Sequence, residues 1–211
     1  MRRGGALAGL VLALAACKPA EPEFRPLSAD TAEVPVEAAP AQPVAEPAPA
    51  EDAAAQLAQV GALRIGAEFG KSPGDEVFVA AGMRELMEGD CEYYDGGTLP
   101  EVMSMMVLGE RIARFDVHGQ GDPSVRIDAP PANAPALPFG LWVGMSVTEA
   151  KRRLPAGVVV SPHAYSSPDG DYLTWTDKRA GLALRLETLH GLVTSIYWGQ
   201  PDAVELIEGC A

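Results

Sequence analysis

An α+β fold is what this sequence predicts: two small lobes of antiparallel β-meander with one short helix each, behind residues 1–60, which build no core. Three observations predict it. Leu182, Leu184 and Leu186 alternate with Ala183, Arg185 and Glu187, the period-two pattern of a strand with one apolar face. Ser146-Val147-Thr148-Glu149 has capping-box spacing, which predicts a helix over 147–154 stopped by Pro155. Asp128 to Pro138 carries four prolines in eleven residues, so it is neither helix nor central strand and joins two lobes, 61–127 and 139–211. The 29 acidic against 16 basic residues, the formal charge of −13 and the pI near 4.6 argue against nucleic acid as a partner. The longest basic cluster is only Lys151-Arg152-Arg153.

Taken in order, Met1-Arg2-Arg3 supplies a positive start, and 4–16 is an uncharged run of Leu, Ala, Val and Gly. That is the pattern of a secretory signal peptide over 1–16. It ends in Leu14-Ala15-Ala16-Cys17, which resembles the lipobox of bacterial lipoproteins. The resemblance implies a thioether-linked diacylglycerol on the Cys17 sulfur and acyl chains, palmitate among them, each buried methylene contributing about 0.8 kcal/mol to anchoring. Lys18 stands where the inner-membrane retention signal of such proteins is typically an aspartate, which implies an outer-membrane anchor facing the periplasm. Loss of Arg2 and Arg3 with the leader takes the formal charge from −13 to −15.

Residues 17–60 read as a disordered linker. Between Lys18 and Ala55 there are eight prolines, twelve alanines, eight acids and one aromatic, Phe24, too little apolar bulk for a core. Such a segment serves as a leash, or contacts the cell wall itself.

In lobe one, 72–75 has the composition of a helix start and 77–79 that of a strand, so 76–88 stays open between the two. Val102 to Leu108, a turn at Gly109, and Arg111 to His118 form a hairpin. In lobe two, Val158 to Ser161, Tyr172 to Thr176, Leu182 to Glu187 and Leu192 to Trp198 are strands, with His190-Gly191 turning the last pair. His118-Gly119-Gln120 and Trp198-Gly199-Gln200 follow the two hairpins 80 residues apart, a hint of tandem repetition. Cys91 and Cys210 are the cysteines of the folded part, and an oxidising compartment would pair them; two free thiols or an intermolecular link are the alternatives.

Gly144-Met145-Ser146-x-x-Glu149-Ala150-x-x-x-Leu154 followed by a strand meander resembles the opening of small outer-membrane lipoproteins of the SmpA/OmlA kind. The β-lactamase inhibitor proteins repeat a related helix-plus-sheet unit twice. The ending Glu208-Gly209-Cys210 is similar to that of uncharacterised proteobacterial lipoproteins. These resemblances imply an envelope protein that works by contact with a partner and bring no catalytic residues.

The residues themselves point the same way. His118, His163 and His190 are scattered, with no second ligand at metal-site spacing, and no cofactor motif is present. Asp169-Gly170-Asp171 reads as a turn. A hydrolase would need Ser161, Ser166 or Ser167 to meet a histidine and an acid through folding. Binding is the better-supported class: His163, Tyr165, Tyr172, Trp175 and Trp198 gather on or beside lobe-two strands as a candidate surface for an envelope protein or, alternatively, for a cell-wall glycan.

Overall fold

The computed structural model describes residues 50–70, 82–87 and 89–210. The signal peptide, Cys17, the linker up to residue 49 and the segments 72–75 and 77–79 lie outside the described residues. Helix α1 (Ala50–Leu57) is followed by two short strands, β1 (Gln59–Val60) and β2 (Leu63–Arg64). Strands β3 (Met83–Met87), β4 (Cys91–Gly96), β5 (Met103–Leu108) and β6 (Arg111–His118) form a meander. An irregular connector with a 3-10 turn at Pro138–Gly140 leads to helix α2 (Val147–Arg153). A second meander comprises β7 (Val159–Pro162), β8 (Asp171–Asp177), β9 (Leu182–Leu189) and β10 (Leu192–Gly199), and helix α3 (Pro201–Glu205) follows it.

The linker therefore ends earlier than composition suggests. Ala53 and Leu57 stand one helical turn apart on α1, and both are wholly buried. Gln56 reinforces the docking by accepting the Phe139 N–H at 2.7 Å. Among the described residues, 61–127 holds no helix, and α3 after β10 adds a helix that the sequence pattern does not announce. Helix α2 starts as read: the Ser146 hydroxyl accepts the Glu149 N–H at 3.2 Å. The Glu149 carboxylate, instead of reaching back, pairs with Arg152 and with Arg153 at 2.8 Å.

What reads as two lobes is one antiparallel sheet of eight strands in the order β3-β4-β5-β6-β10-β9-β8-β7. The two meanders meet along a seam where β6 pairs with β10, Ser195 opposite His118 and Trp198 opposite Phe115. One face of the sheet buries Met105, Phe115, Trp175, Leu184, Leu186 and Trp198 against Leu57, Phe139 and Met145. The other face carries a smaller cluster, Met106, Ala113 and Ala203, beside a bridge between Cys91 and Cys210. That bridge, 119 residues apart in sequence, ties the tail to the first meander and is worth about 4–5 kcal/mol in the chain-entropy model.

The halves repeat each other closely. Gly109-Glu110 and His190-Gly191 are two-residue turns with positive φ throughout, the conformation that matches strand twist. Each hairpin then has one unpaired residue at the same place, Ala113 in β6 and Thr194 in β10. Across the seam, Gly119 N–H donates to Thr194 C=O at 3.0 Å and Gln200 N–H to Ala113 C=O at 2.8 Å. Leu108 thus corresponds to Leu189 and His118 to Gly199, a separation of 81. The resemblance of His118-Gly119-Gln120 to Trp198-Gly199-Gln200 is therefore one residue out of the structural register.

A second match precedes each meander. Gly66 N–H donates to Ile112 C=O, Ile112 N–H to Ala67 C=O and Phe69 N–H to Glu110 C=O. Gly144, Met145 and Val147 bond Val193 and Gly191 in the same way. Leu63-Arg64-Ile65-Gly66 and Leu141-Trp142-Val143-Gly144 are thus counterparts, each glycine at a φ above +80° that a side chain would strain.

Candidate functional site

The described cleft with the dimensions of a ligand site lies at the end of the seam where β6 finishes. It encloses about 620 Å³ between the strand ends and the connector. Its construction follows from local rules. β6 stops at His118 because Gly119 turns the chain away after bonding Thr194 C=O. The connector then makes a tight turn in which Asp122 Oδ1 accepts both the N–H and the hydroxyl of Ser124, at 2.9 and 2.6 Å. Those bonds hold the Asp122 carboxyl below its ordinary pKa, so it stays anionic.

The strap returns at Ile127, whose N–H donates to Gly144 C=O at 2.9 Å and whose C=O accepts the Trp142 indole N–H at 2.8 Å. A Cβ on Gly144 would meet Ile127 Cγ1 at 2.7 Å, so this closure requires glycine. The rest of the strap, which turns back at the Ala134 N–H to Pro131 C=O bond of 2.9 Å, shows among the described residues no backbone bond to the sheet, its prolines having no N–H to offer, and this leaves space beneath it.

The walls are mostly apolar: Val102, Val117, Val125, Ile127, Leu137 and Val193. Polar groups are few. His118 Nδ1 lies 3.4 Å from Ser195 Oγ, and the charged side chains on the lining are Glu101 and Asp122, both acidic. A mostly apolar cleft with a few polar groups is the ordinary form of a binding site. The His118–Ser195 contact brings together a histidine and a serine other than the three singled out from the sequence. Among the described residues no carboxylate forms an ion pair with His118, the element that would orient such a base.

The five candidate aromatics do not share one surface, which corrects the reading of a single aromatic face. Trp175 and Trp198 are buried in the main core, Trp175 edge-on to Phe139 and Trp198 beside Phe115. Tyr172 lies on the opposite face, buried beneath the stacked His163 ring at 4.5 Å and the Arg185 guanidinium at 4.9 Å. Tyr165 is exposed and donates its hydroxyl to Glu208 of the tail. His163 Nε2 is 3.8 Å from Glu187. The physical reason is the period of a strand: Tyr172 and Trp175 are three residues apart, so they point to opposite faces.

A polar network on that second face has no counterpart in the sequence reading. Arg114 donates to Asp116 at 2.6 Å, both side chains being almost wholly buried. It also donates to the C=O groups of Ala203 and Leu206, at 2.6 and 2.9 Å, and to the Tyr93 hydroxyl. Arg185 donates toward Glu205 C=O at 3.4 Å. Two arginines thus satisfy carbonyls in and just beyond α3. Burial works against the Arg114 charge, but the adjacent Asp116 holds the guanidinium protonated, its pKa above the ordinary value. Burial and Asp116 push the Tyr93 phenol up, and burial and Glu187 do the same to Tyr197. The available signal was Arg114-Phe115-Asp116-Val117, where opposite charges two apart share a strand face.

Cys91 and Cys210 are joined, while Cys17 lies outside the described residues. Among the described residues no group of three His, Cys, Asp or Glu side chains is placed to hold a metal ion, and no helix is long and apolar enough to cross a membrane. Comparison with protein-family models, curated proteins and solved structures found no match to this chain.

Proposed function

We propose that this chain is a lipoprotein of the bacterial envelope, held on the outer membrane by acylated Cys17, facing the periplasm and binding an envelope protein without catalysing a reaction. Its N-terminal lipobox supports the anchoring, since leader, apolar run and Cys17 stand in the order that lipidation needs. The single observation that carries the binding role is the cleft beneath the connector, apolar within and acidic where it is charged. An apolar side chain flanked by a basic residue is the chemistry that suits it.

The glycan reading has less support. Of its five aromatic groups, Trp175, Trp198 and Tyr172 are buried, which leaves Tyr165 and the partly covered His163. A hydrolase would rest on His118 and Ser195 alone.

The test is photo-crosslinking in intact cells from position 125, where Val125 is 56% exposed on the cleft wall. A discrete protein adduct is expected, and filling the cleft with Thr194→Trp should remove it. Adducts confined to glycan would replace the protein reading with the alternative. Adducts indifferent to Thr194→Trp would move the site elsewhere. In parallel, Cys17→Ser should release the protein from the membrane fraction.

A further inference from the structure

Leu137 and Trp142 stand on the cleft wall at the two ends of one short turn. Between them Phe139 and Gly140 both take left-handed backbone, φ +57° and +61°. An L side chain keeps that conformation only where its surroundings hold it. Two bonds lie within the turn, Gly140 N–H to Leu137 C=O at 3.1 Å and Leu141 N–H to Pro138 C=O at 3.2 Å. Two more come from helices: Arg153 of α2 donates to Gly140 C=O at 3.1 Å, and Gln56 of α1 accepts the Phe139 N–H at 2.7 Å. The Phe139 ring meets Trp175 edge-on at 5.7 Å.

The two helical supports differ in how they are held. α2 is tied at both ends, its Val147 N–H donating to Gly191 C=O at 2.9 Å and β7 following it in the chain. α1 has eight residues, too few for a stable helix in water, and it precedes every described strand, so it persists only while docked. Its anchorage among the described residues is Ala53 and Leu57, both buried, while Gln56 beside them is exposed. Ala50 is also where the chain running from Cys17 enters the described fold, so a pull along that chain reaches α1 before any strand.

We propose that α1 is the latch of the cleft, with Gln56 as its positioning residue. Seated, α1 holds the turn through Gln56, and the turn sets the spacing of Leu137 and Trp142 for the partner. Unseated, α1 unfolds, the Phe139 N–H loses its acceptor, and the turn leaves its left-handed state and draws Leu137 from the wall. Gln56 therefore acts on the cleft without lining it. The coupling is reciprocal: a partner that needs the formed wall also holds α1 down, and tension on the chain before Ala50 weakens the partner's grip. This device rests on the cleft being the partner's site.

The test compares Gln56→Ala with Gln56→Glu, which keeps an acceptor oxygen, in the full lipidated chain. Gln56 is exposed, so both variants should fold as the parent does. In detergent micelles, amide exchange at Gly140 and Leu141 should quicken about fivefold in Gln56→Ala, the size of one hydrogen bond, and return to the parent rate in Gln56→Glu. Exchange in β9 should stay unchanged. In cells, crosslinking from position 125 should fall by about the same factor and recover in the same way. A rise confined to the Phe139 amide, or one spread equally through β9, would overturn the latch. An adduct that persists at full yield in Gln56→Ala would overturn it too and leave the cleft reading standing. No adduct in the parent chain would overturn the cleft reading instead, and the exchange rates alone would then decide whether α1 holds the turn.

Discussion

The two ends of the β6–β10 seam are made of corresponding residues, yet one is sealed and the other open. At the sealed end Gly199 stands opposite Arg114, and a Cβ there would lie 2.1 Å from Ala113 C=O. The strands press together, and the chain continues directly into α3, clamped by Arg114 and tied down by the Cys91–Cys210 bridge. At the open end the corresponding residue is His118, which keeps a side chain and faces the cleft. The chain there continues into a long proline-rich strap rather than a helix. Repetition fixed the strand register; the segment appended to each repeat decided whether that end became a cover or a cleft.

Three experiments break or sharpen this contrast, from the largest expected effect to the smallest. Arg114→Leu should cost about 3–5 kcal/mol in a urea titration, because Asp116 would stay buried without its cation. Replacing Asp116 by Leu in the same chain should recover much of that loss, and a cost below about 1 kcal/mol for the single variant would show that the clamp does not hold the sealed end.

The next comparison places alanine at each of the two corresponding positions. Gly199→Ala should cost about 1–3 kcal/mol by forcing the seam apart, whereas His118→Ala, at an exposed position, should stay within about 0.5 kcal/mol. Equal effects on the two melting temperatures would erase the distinction between the ends.

The smallest effect is alkaline. Tyr93 and Tyr197 have raised pKa values in the fold, against about 10 in the unfolded chain. Their contribution to stability is therefore fully present below pH 10 and is lost as pH rises toward the folded values, since only the unfolded chain releases those protons there. Melting temperature measured from pH 8 to 11 should decline above about pH 10, and Tyr93→Phe with Tyr197→Phe should flatten part of that decline. An unaltered slope in the double variant would place the alkaline sensitivity elsewhere.

Much of the fold was legible where the cause is local. Ser146 capping Glu149, the turn at His190-Gly191 and the alternation through Leu182, Leu184 and Leu186 each depend on residues a few positions apart. The burial of Trp175 opposite Tyr172 was legible too, from their odd spacing, though a gathering of aromatics suggests a surface. The repeat was harder to see. Its first signature, Leu63 to Gly66 against Leu141 to Gly144, recurs after 78 residues, and its hairpins after 81, so no single offset aligns both. The inclusion of α1 in the fold turned on Ala53 and Leu57 finding the core, which an alanine-rich stretch does not announce.

By itself, the sequence determined the hairpin of β5 and β6, the strands of the second meander, the hairpin turns, the helix cap and the proline-rich strap, because backbone preference and side-chain period act within a few residues. Tertiary structure decided that β6 and β10 would pair, that Arg114 would meet carbonyls 89 and 92 residues away, and that the strap would arch over the strand ends instead of lying on them. Those contacts become favourable only once loop closure has brought distant segments together and burial has removed water from between them, and neither condition is written in the local order of residues.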